Sequence, residues 1–249
     1  AEGWPSTGNQ ARLLKDGPET YAAWLEAIGR AERFVDLENY IFQEDSTGAE
    51  FAHALLDAAA RGVRCRVIYD WLGCLNRTSK SFWQTLRAGG VEVRCYNTPQ
   101  LLYPLRWISR DHRKVLCVDG DLAFTGGLCI GHDWVGDSAK GIPPWRDTAI
   151  ELKGPAVAYL SAAFEDSWAA AHDGQGRPAL VQPPLSGQEC TPGLEVSVIA
   201  GRPDSMGLYR LEQLVAEIAQ RSLWLTDGYF VATTAYAVSY THLRAHETV

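Results

Sequence analysis

The chain has no excess of basic residues: 23 lysines and arginines stand against 30 aspartates and glutamates in 249 residues, a formal charge of -7. That balance argues against a non-specific nucleic-acid binder, which needs a cationic surface to displace counterions from phosphates. It does not exclude a local basic pocket. No run approaches the roughly 18 apolar residues of a membrane span, and no signal-peptide pattern opens the sequence. Cysteine pairs at metal-ligand or redox spacing are missing too. Cys65, Cys74, Cys95, Cys117, Cys129 and Cys190 form no C-x-x-C, and four of them lie in or beside apolar strand-like runs. They read as buried free thiols in a reducing compartment rather than disulfides or a zinc site.

What is present is core: 46% of the residues are hydrophobic, enough for one large domain or one and a half smaller ones. In "PETYAAWLEAIGRAE", Tyr21, Trp24, Leu25 and Ile28 recur at helical spacing behind Pro18, a residue suited to a first turn. "RFVDLENYIF" predicts a strand. "STGAEFAHALLDAAARG" predicts a second helix, with Thr47 and Glu50 as a capping box and Gly62 at its end. "VRCRVIYDW" alternates Val63, Cys65, Val67 and Tyr69 on one face, as a strand does. A helix over 79–88, a strand "VEVRCY", a strand "DTAIEL" and a helix "GPAVAYLSAAFEDSWAAA" follow. Alternation at this spacing implies an α/β fold, a largely parallel or mixed sheet covered by helices.

Residues 173–193, rich in Pro, Gly and polar side chains, read as a linker. Beyond it the sequence repeats. "RLLKDGPET" and "SVIAGRPDS" share an apolar pair, a polar turn, then Pro, an acid and a hydroxyl, and "FVDLENYIF" aligns with "LWLTDGYFV" without a gap. The domains are therefore expected at 10–172 for a first repeat and 194–238 for the start of a second. The last residues, "SYTHLRAHETV" (239–249), carry no apolar periodicity and read as a non-native tail.

Chemistry concentrates in "RDHRKVLCVDGDLAFTGG", residues 110–127. On an extended segment His112 and Lys114 point to one face while Arg113 and Val115 point to the other. An imidazole and an ammonium so placed converge on one spot. A neutral imidazole can attack phosphorus, and an adjacent Lys can hold the non-bridging oxygens through the transition state. Neither role needs a metal or another cofactor. Asp119 and Gly120 suit a tight hairpin turn, and the odd parity of Asp119 against His112 places it as a brace of that turn rather than a substrate contact. Gly126 and Gly127 remove side chains where a phosphate would approach the backbone.

His112, Lys114, Asp119, Gly126 and Gly127 together resemble the H-x-K-x4-D-x6-G-G signature of the phospholipase D superfamily. At residue usages of a few per cent, a chance match is on the order of one in ten thousand. The stretch from "RDHRK" through "GGLCIG" to "GIPPWRDT" and "GPAV" is similar to the bacterial cardiolipin synthase branch. The resemblance implies a phospholipase D-like mixed sheet flanked by helices, one complete repeat plus the start of a second. It implies a phosphatidyl transfer through a phosphohistidine, with phosphatidylglycerol as the usual donor and a second phospholipid as acceptor. It makes His112 a nucleophile or acid/base, Lys114 a phosphate clamp, Asp119 the signature aspartate, and Gly126 and Gly127 substrate-binding. Asp147 in "WRDT" matches the acid that orients the histidine, its bland alternative being a salt bridge with a neighbour such as Arg146. It also implies a phospholipid substrate and a peripheral place at the cytoplasmic face of the bacterial inner membrane.

Two departures bear on this. Cys129 stands where many members have Asn. The family's site also needs two motifs. His112 lies 99 residues after Leu13, and the same distance after the corresponding Val198 falls at 297, past Val249. A second repeat or a homodimer partner is then needed to complete the site. The alternatives are a hydrolase or nuclease acting on another phosphodiester, against which the acidic balance weighs, and an inactive half-site. "LLYPLRWI", residues 101–108, is either an acyl-chain entrance or membrane contact, or a buried connection.

Overall fold

The computed structural model describes residues 4–98, 110–173, 192–201 and 207–224. The apolar segment 101–108, nearly all of the linker, the repeat's strand from residue 225 on and the tail 239–249 lie outside them.

Two compact bodies make up the described chain. The larger, Trp4–Val198, is an eight-stranded mixed sheet. Its strands are β1 (Trp4–Lys15), β2 (Phe34–Asn39), β3 (Arg64–Asp70), β4 (Glu92–Tyr96), β5 (Val115–Val118), β6 (Leu122–Gly126), β7 (Thr148–Lys153) and β8 (Leu194–Val198), in the order β4-β3-β2-β5-β6-β7-β1-β8. The β2–β3 and β3–β4 pairs are parallel, each crossover made by a helix. From β2–β5 onward the pairs are antiparallel. The smaller body contains α5 (Gly207–Ile218), whose Ala216 is buried.

Helices α1 (Asp16–Arg30), α2 (Ser46–Ala60) and α3 (Lys80–Ala88) cover one face. Tyr21, Trp24 and Ile28 of α1 bury against Phe51 and Leu55 of α2 and against Leu37, Leu116 and Phe124 of the sheet. Helix α4 (Ala156–Asp173) covers the other face, over Val115, Cys117 and Ala123. The helical and strand periods read from the sequence hold within a residue or two at most ends.

The start of α2 differs from expectation. Asp45, not a Thr47–Glu50 box, is the cap: its Oδ1 accepts from Gly48 N–H at 2.9 Å, and its Oδ2 accepts from His132 N–H at 2.7 Å. Thr47 is buried inside the first turn, so its hydroxyl stands one helical step too late to cap. Strand β1 carries Pro5, Gly8 and mostly polar residues and shows no alternation. What holds it is Asn9, fully buried at a bulge. Its Nδ2 donates to Ser6 O (2.9 Å) and Leu194 O (3.2 Å), and its Oδ1 accepts from Ala156 N–H at the head of α4 (2.8 Å). Asn9 pairs with Leu194, which is also its equivalent when Leu13 is matched to Val198.

The β5–β6 hairpin turns through Asp119 and Gly120, both at positive φ (54° and 80°). The Asp119 carboxylate accepts three backbone N–H groups, from Glu32 (2.9 Å), Arg33 (2.7 Å) and Phe34 (2.8 Å). It ties the hairpin to the start of β2, away from His112, as its parity predicts. Partial burial opposes the charge, but the three donors outweigh it and hold the carboxyl below its ordinary range. Asp119→Ala should cost about 2 kcal/mol by orphaning those donors. The difference from the parent chain should be full above the ordinary carboxyl range and vanish as pH falls through the lowered folded value. Urea unfolding of both chains across acid pH measures it.

Candidate active site

The segment 110–114 enters β5 from the irregular chain before it, and its side chains alternate across the sheet. His112 and Lys114 lie on the face of α1 to α3, against Tyr40 at the end of β2. Arg113 lies on the opposite face, donating to Ala163 O (2.6 Å) and pairing with Asp166 of α4 (3.2 Å). The segment is pinned by Asp70 at the end of β3, whose Oδ2 accepts Asp111 N–H (3.0 Å) while its Oδ1 accepts Leu72 and Gly73 N–H.

His112 keeps one edge open to solvent, and its ring packs on Tyr40 with centroids 4.7 Å apart. Its partial burial, then the charge of Lys114, lower its pKa against the opposing pull of Asp111. The imidazole is thereby favoured neutral, as a nucleophile or base requires. Lys114 is only 4% exposed. Its Nζ donates to the His112 carbonyl at 2.7 Å and lies 5.4 Å from the Tyr40 ring centre. Among the described residues no carboxylate lies within ion-pair distance of it. Burial lowers its pKa, partly offset by Cys129, Asp111, Asp147 and Asp70. A buried ammonium that lacks a carboxylate partner is costly to maintain, and an anion brought to it would offset that cost.

Asp147 sits beside this pair in a different arrangement from the one its motif implies. No hydrogen bond joins it to the His112 ring in this structure. Its Oδ2 accepts from Trp134 Nε1 (3.2 Å) and its Oδ1 from Thr148 N–H (2.8 Å). Nor is Arg146 its partner, because that guanidinium pairs with Asp16 at 3.2 Å. Asp16 instead holds the Asp147 backbone, accepting its N–H at 3.0 Å and donating to its carbonyl at 2.9 Å.

The paired glycines serve this packing. A Cβ on Gly126 would stand 2.5 Å from Thr148 O, and one on Gly127 would stand 2.2 Å from Asp147 Oδ1. The room left by the missing side chains, expected for a phosphate, is taken by β7 and by the Asp147 carboxylate. Cys129, at the Asn position, is 2% exposed and its thiol is pushed up by burial, so it offers a neutral S–H near Lys114. Tyr40 and Trp134 escape sequence reasoning. Each reads as core by type, and only the placement of β2 beside β5 brings Tyr40 onto the motif.

Residues 24–133 match the family described as "Cardiolipin synthase, PLD-like domain". The cardiolipin synthase of Geobacillus thermodenitrificans is 34% identical over 231 residues, covering 91% of this chain and 45% of that protein. Cardiolipin synthase A of Pseudomonas aeruginosa is 33% identical over 233 residues, at 91% and 46%. The chain thus spans about half the length of the curated relatives it matches. Among solved structures, the phospholipase D family member Nuc of Salmonella typhimurium is similar in fold, with a TM-score of 0.50 at 18% identity over 69% of this chain and 100% of that one.

Gly127→Ala should destabilise the body by about 1–3 kcal/mol, since its Cβ and the Asp147 carboxylate compete for one volume. Thermal unfolding of the variant beside a Gly29→Ala control, where no atom stands within 4 Å, reads the difference. Signature and relatives converge: residues 24–133 belong to the family described as "Cardiolipin synthase, PLD-like domain", and the curated relatives of the chain are cardiolipin synthases.

Proposed function

We propose that the protein to which this chain belongs is a phosphatidyltransferase of the cardiolipin synthase type, converting phosphatidylglycerol to cardiolipin and glycerol. The observation that carries the reading is the buried, carboxylate-free Lys114 beside a neutral, open-edged His112. The imidazole lone pair attacks phosphorus and the bond to the glycerol leaving group breaks, giving a phosphohistidine. Lys114 receives the non-bridging oxygens in place of its present bond to the His112 carbonyl. Asp147 faces Lys114 across Gly127 and limits how many anionic oxygens can gather there. The leaving oxygen takes a proton from an acid outside this motif, supplied by a second repeat after residue 194 or by a partner copy. A second phospholipid hydroxyl then attacks phosphorus, giving its proton to the conjugate base left by the first step, and the phosphorus–nitrogen bond breaks to free His112, so that atoms and charge balance over the two steps. The domain plan that goes with this reading is a first repeat over 10–172 and a second that starts at 194.

In the protein extended through its second motif, His112→Ala should lower the conversion of phosphatidylglycerol by about 10³-fold or more, and wild-type protein quenched early in turnover should carry an acid-labile phosphatidyl group on His112. Hydrolysis of DNA with phosphatidylglycerol left intact would replace the substrate assignment, and a folded extended protein inert on both would favour the half-site alternative.

The membrane surface is proposed as the site of action. Ile142, 54% exposed, ends a loop closed by paired backbone bonds with Asp137, and Trp145, 56% exposed, follows it with its N–H donated to Asp133 O. Trp145 packs edge-on against Trp134, 5.1 Å away, and so stands one residue removed from Asp147. Exposed Trp and Ile suit the headgroup level of a bilayer. The described cysteines are all free, which fits the reducing cytoplasmic side. Ile142→Ser with Trp145→Ser should reduce co-sedimentation with phosphatidylglycerol vesicles severalfold, with little dependence on salt. Unchanged binding would move the contact elsewhere.

A further inference from the structure

Directly across the sheet from His112 and Lys114 lies a cluster that the proposed chemistry does not use. Glu38 of β2 is 1% exposed and Asp111 is 4% exposed. The Asp111 carboxyl lies within hydrogen-bonding reach of Glu38, and the Ser167 hydroxyl of α4 approaches from the other side. Yet no hydrogen bond of normal geometry reaches either Glu38 carboxylate oxygen, Asp111 Oδ2 or the Ser167 hydroxyl among the described residues, and Ser167 can serve at most one of the two carboxyl groups. Arg113 is the nearest cation, its Nε 3.8 Å from Glu38 Oε1, but its guanidinium is committed to Asp166 and to Ala163 O.

Among the described residues, Glu38 and Asp111, both at most 4% exposed, have Arg113 as their shared cation, and Arg113 also bonds Asp166. The adjoining cluster has no cation to spare, since Arg66 makes a bidentate bond to Asp36 (2.7 and 2.8 Å) and bonds Glu165 (2.5 Å), and Arg64 stands 3.8 Å from Asp36. Asp70, from the end of β3, adds another carboxylate on Asp111 N–H. On the remaining side Glu38 is in register with the apolar Ile68, which packs with Tyr96 and Phe164. Two buried carboxylates cannot both stay ionised at this distance with one shared cation, and two acceptors without a donor between them satisfy neither.

We propose that Glu38 is held as a neutral carboxylic acid that donates its proton to Asp111, and that this bond is a positioning device for the 111–114 segment that carries His112 and Lys114. One proton supplies the missing donor, removes one unit of the excess negative charge and leaves Asp111 a bonded carboxylate. Burial and the Asp111 charge both drive Glu38 the same way, well above the ordinary carboxyl range. The positioning role rests on the functional reading of His112; the protonation does not.

Three readouts test it. Infrared difference spectra of this chain at neutral pH, wild type minus Glu38→Gln, should show a carboxylic-acid C=O band that the variant lacks; absence of that band overturns the proposal. Stability against urea gives the second. A folded-state pKa raised above the unfolded value contributes stability that is complete below the unfolded pKa and lost as pH rises toward the folded one. Wild type and Glu38→Gln should therefore unfold at similar urea concentrations near pH 4, and the variant should become the more resistant of the two by pH 8. The opposite trend would mean that Glu38 is ionised and paired with Arg113. In the extended enzyme, Glu38→Gln should retain turnover while Glu38→Asp, which pulls the acid back by one methylene, should lower kcat about tenfold with KM little changed. If Glu38→Asp is as active as wild type while the infrared band is present, the neutral acid stands and its positioning role falls. Phosphatidylglycerol turnover absent from all forms, wild type included, with the band intact would instead count against the functional reading.

Discussion

One antiparallel pairing, β2 against β5, sets the terms for the rest of the larger body. Its register, Val35 with Val118 through Glu38 with Val115, fixes three things at once. At one end it brings the Asp119 turn under the backbone of residues 32–34. At the other it sets Tyr40 beside His112 and Lys114. In between it lays Glu38 beneath the chain that leads into β5. A slip of one residue would exchange the faces of every side chain on one strand, taking His112 and Lys114 from Tyr40 to the underside of α4. The signature aspartate, which touches nothing at the reacting end, acts on the site by holding this register.

The two faces of the sheet then do different work. Toward α1, α2 and α3 the core is aromatic and aliphatic, built on Trp24, Phe51, Phe42 and Leu37, and the site opens at its rim. Toward α4 the strands β2 and β3 and the 111–114 segment carry Asp36, Glu38, Arg66, Asp111 and Arg113, and α4 bonds the two arginines, Arg66 through Glu165 and Arg113 through Ala163 O and Asp166. Such a layer contributes less stability than hydrophobic packing would, because each ion gives up its hydration. What it offers is directional hold. Hydrogen bonds fix the rotation of the 111–114 backbone in a way that interchangeable methyl groups do not, and a site that depends on where one imidazole edge points has use for that.

The fold was legible in the sequence wherever the pattern was local. The helical spacing of Tyr21, Trp24 and Ile28, the alternation through Val63 to Tyr69, and the Asp-Gly turn at 119 each state a conformation without help from distant residues. Lys114 and His112 were legible as a pair for the same reason, since parity alone puts them together. Strand β1 was not, because its strand character comes from partners more than 130 residues away and from the buried amide of Asn9 rather than from any period of its own. The packing of the paired glycines was not legible for a related reason: the missing Cβ is visible in the sequence, but not that Asp147 would fill the space beside Gly127. Asp147 itself could be picked out by its motif, while its bond to Trp134 depends on a turn that sequence period does not describe.

The state of Lys114 explains why the site can remain loaded without being spent. Its ammonium is buried, and its one short bond goes to a neutral carbonyl, the carbonyl of the histidine it is meant to assist. Bound there, it holds the His112 backbone; drawn toward an arriving phosphodiester, it exchanges a neutral acceptor for an anionic one, and charge-assisted bonds are the stronger. The same movement releases the His112 carbonyl and brings positive charge to the oxygens that gain negative charge as the imidazole attacks. On the function proposed above, the cost of burying this cation would be recovered when a phosphate is present. A carboxylate placed beside Lys114 would relieve the strain and remove that selectivity; among the described residues Asp147 is instead engaged by Trp134 and Thr148, and Asp111, of opposite parity to His112, points to the other face.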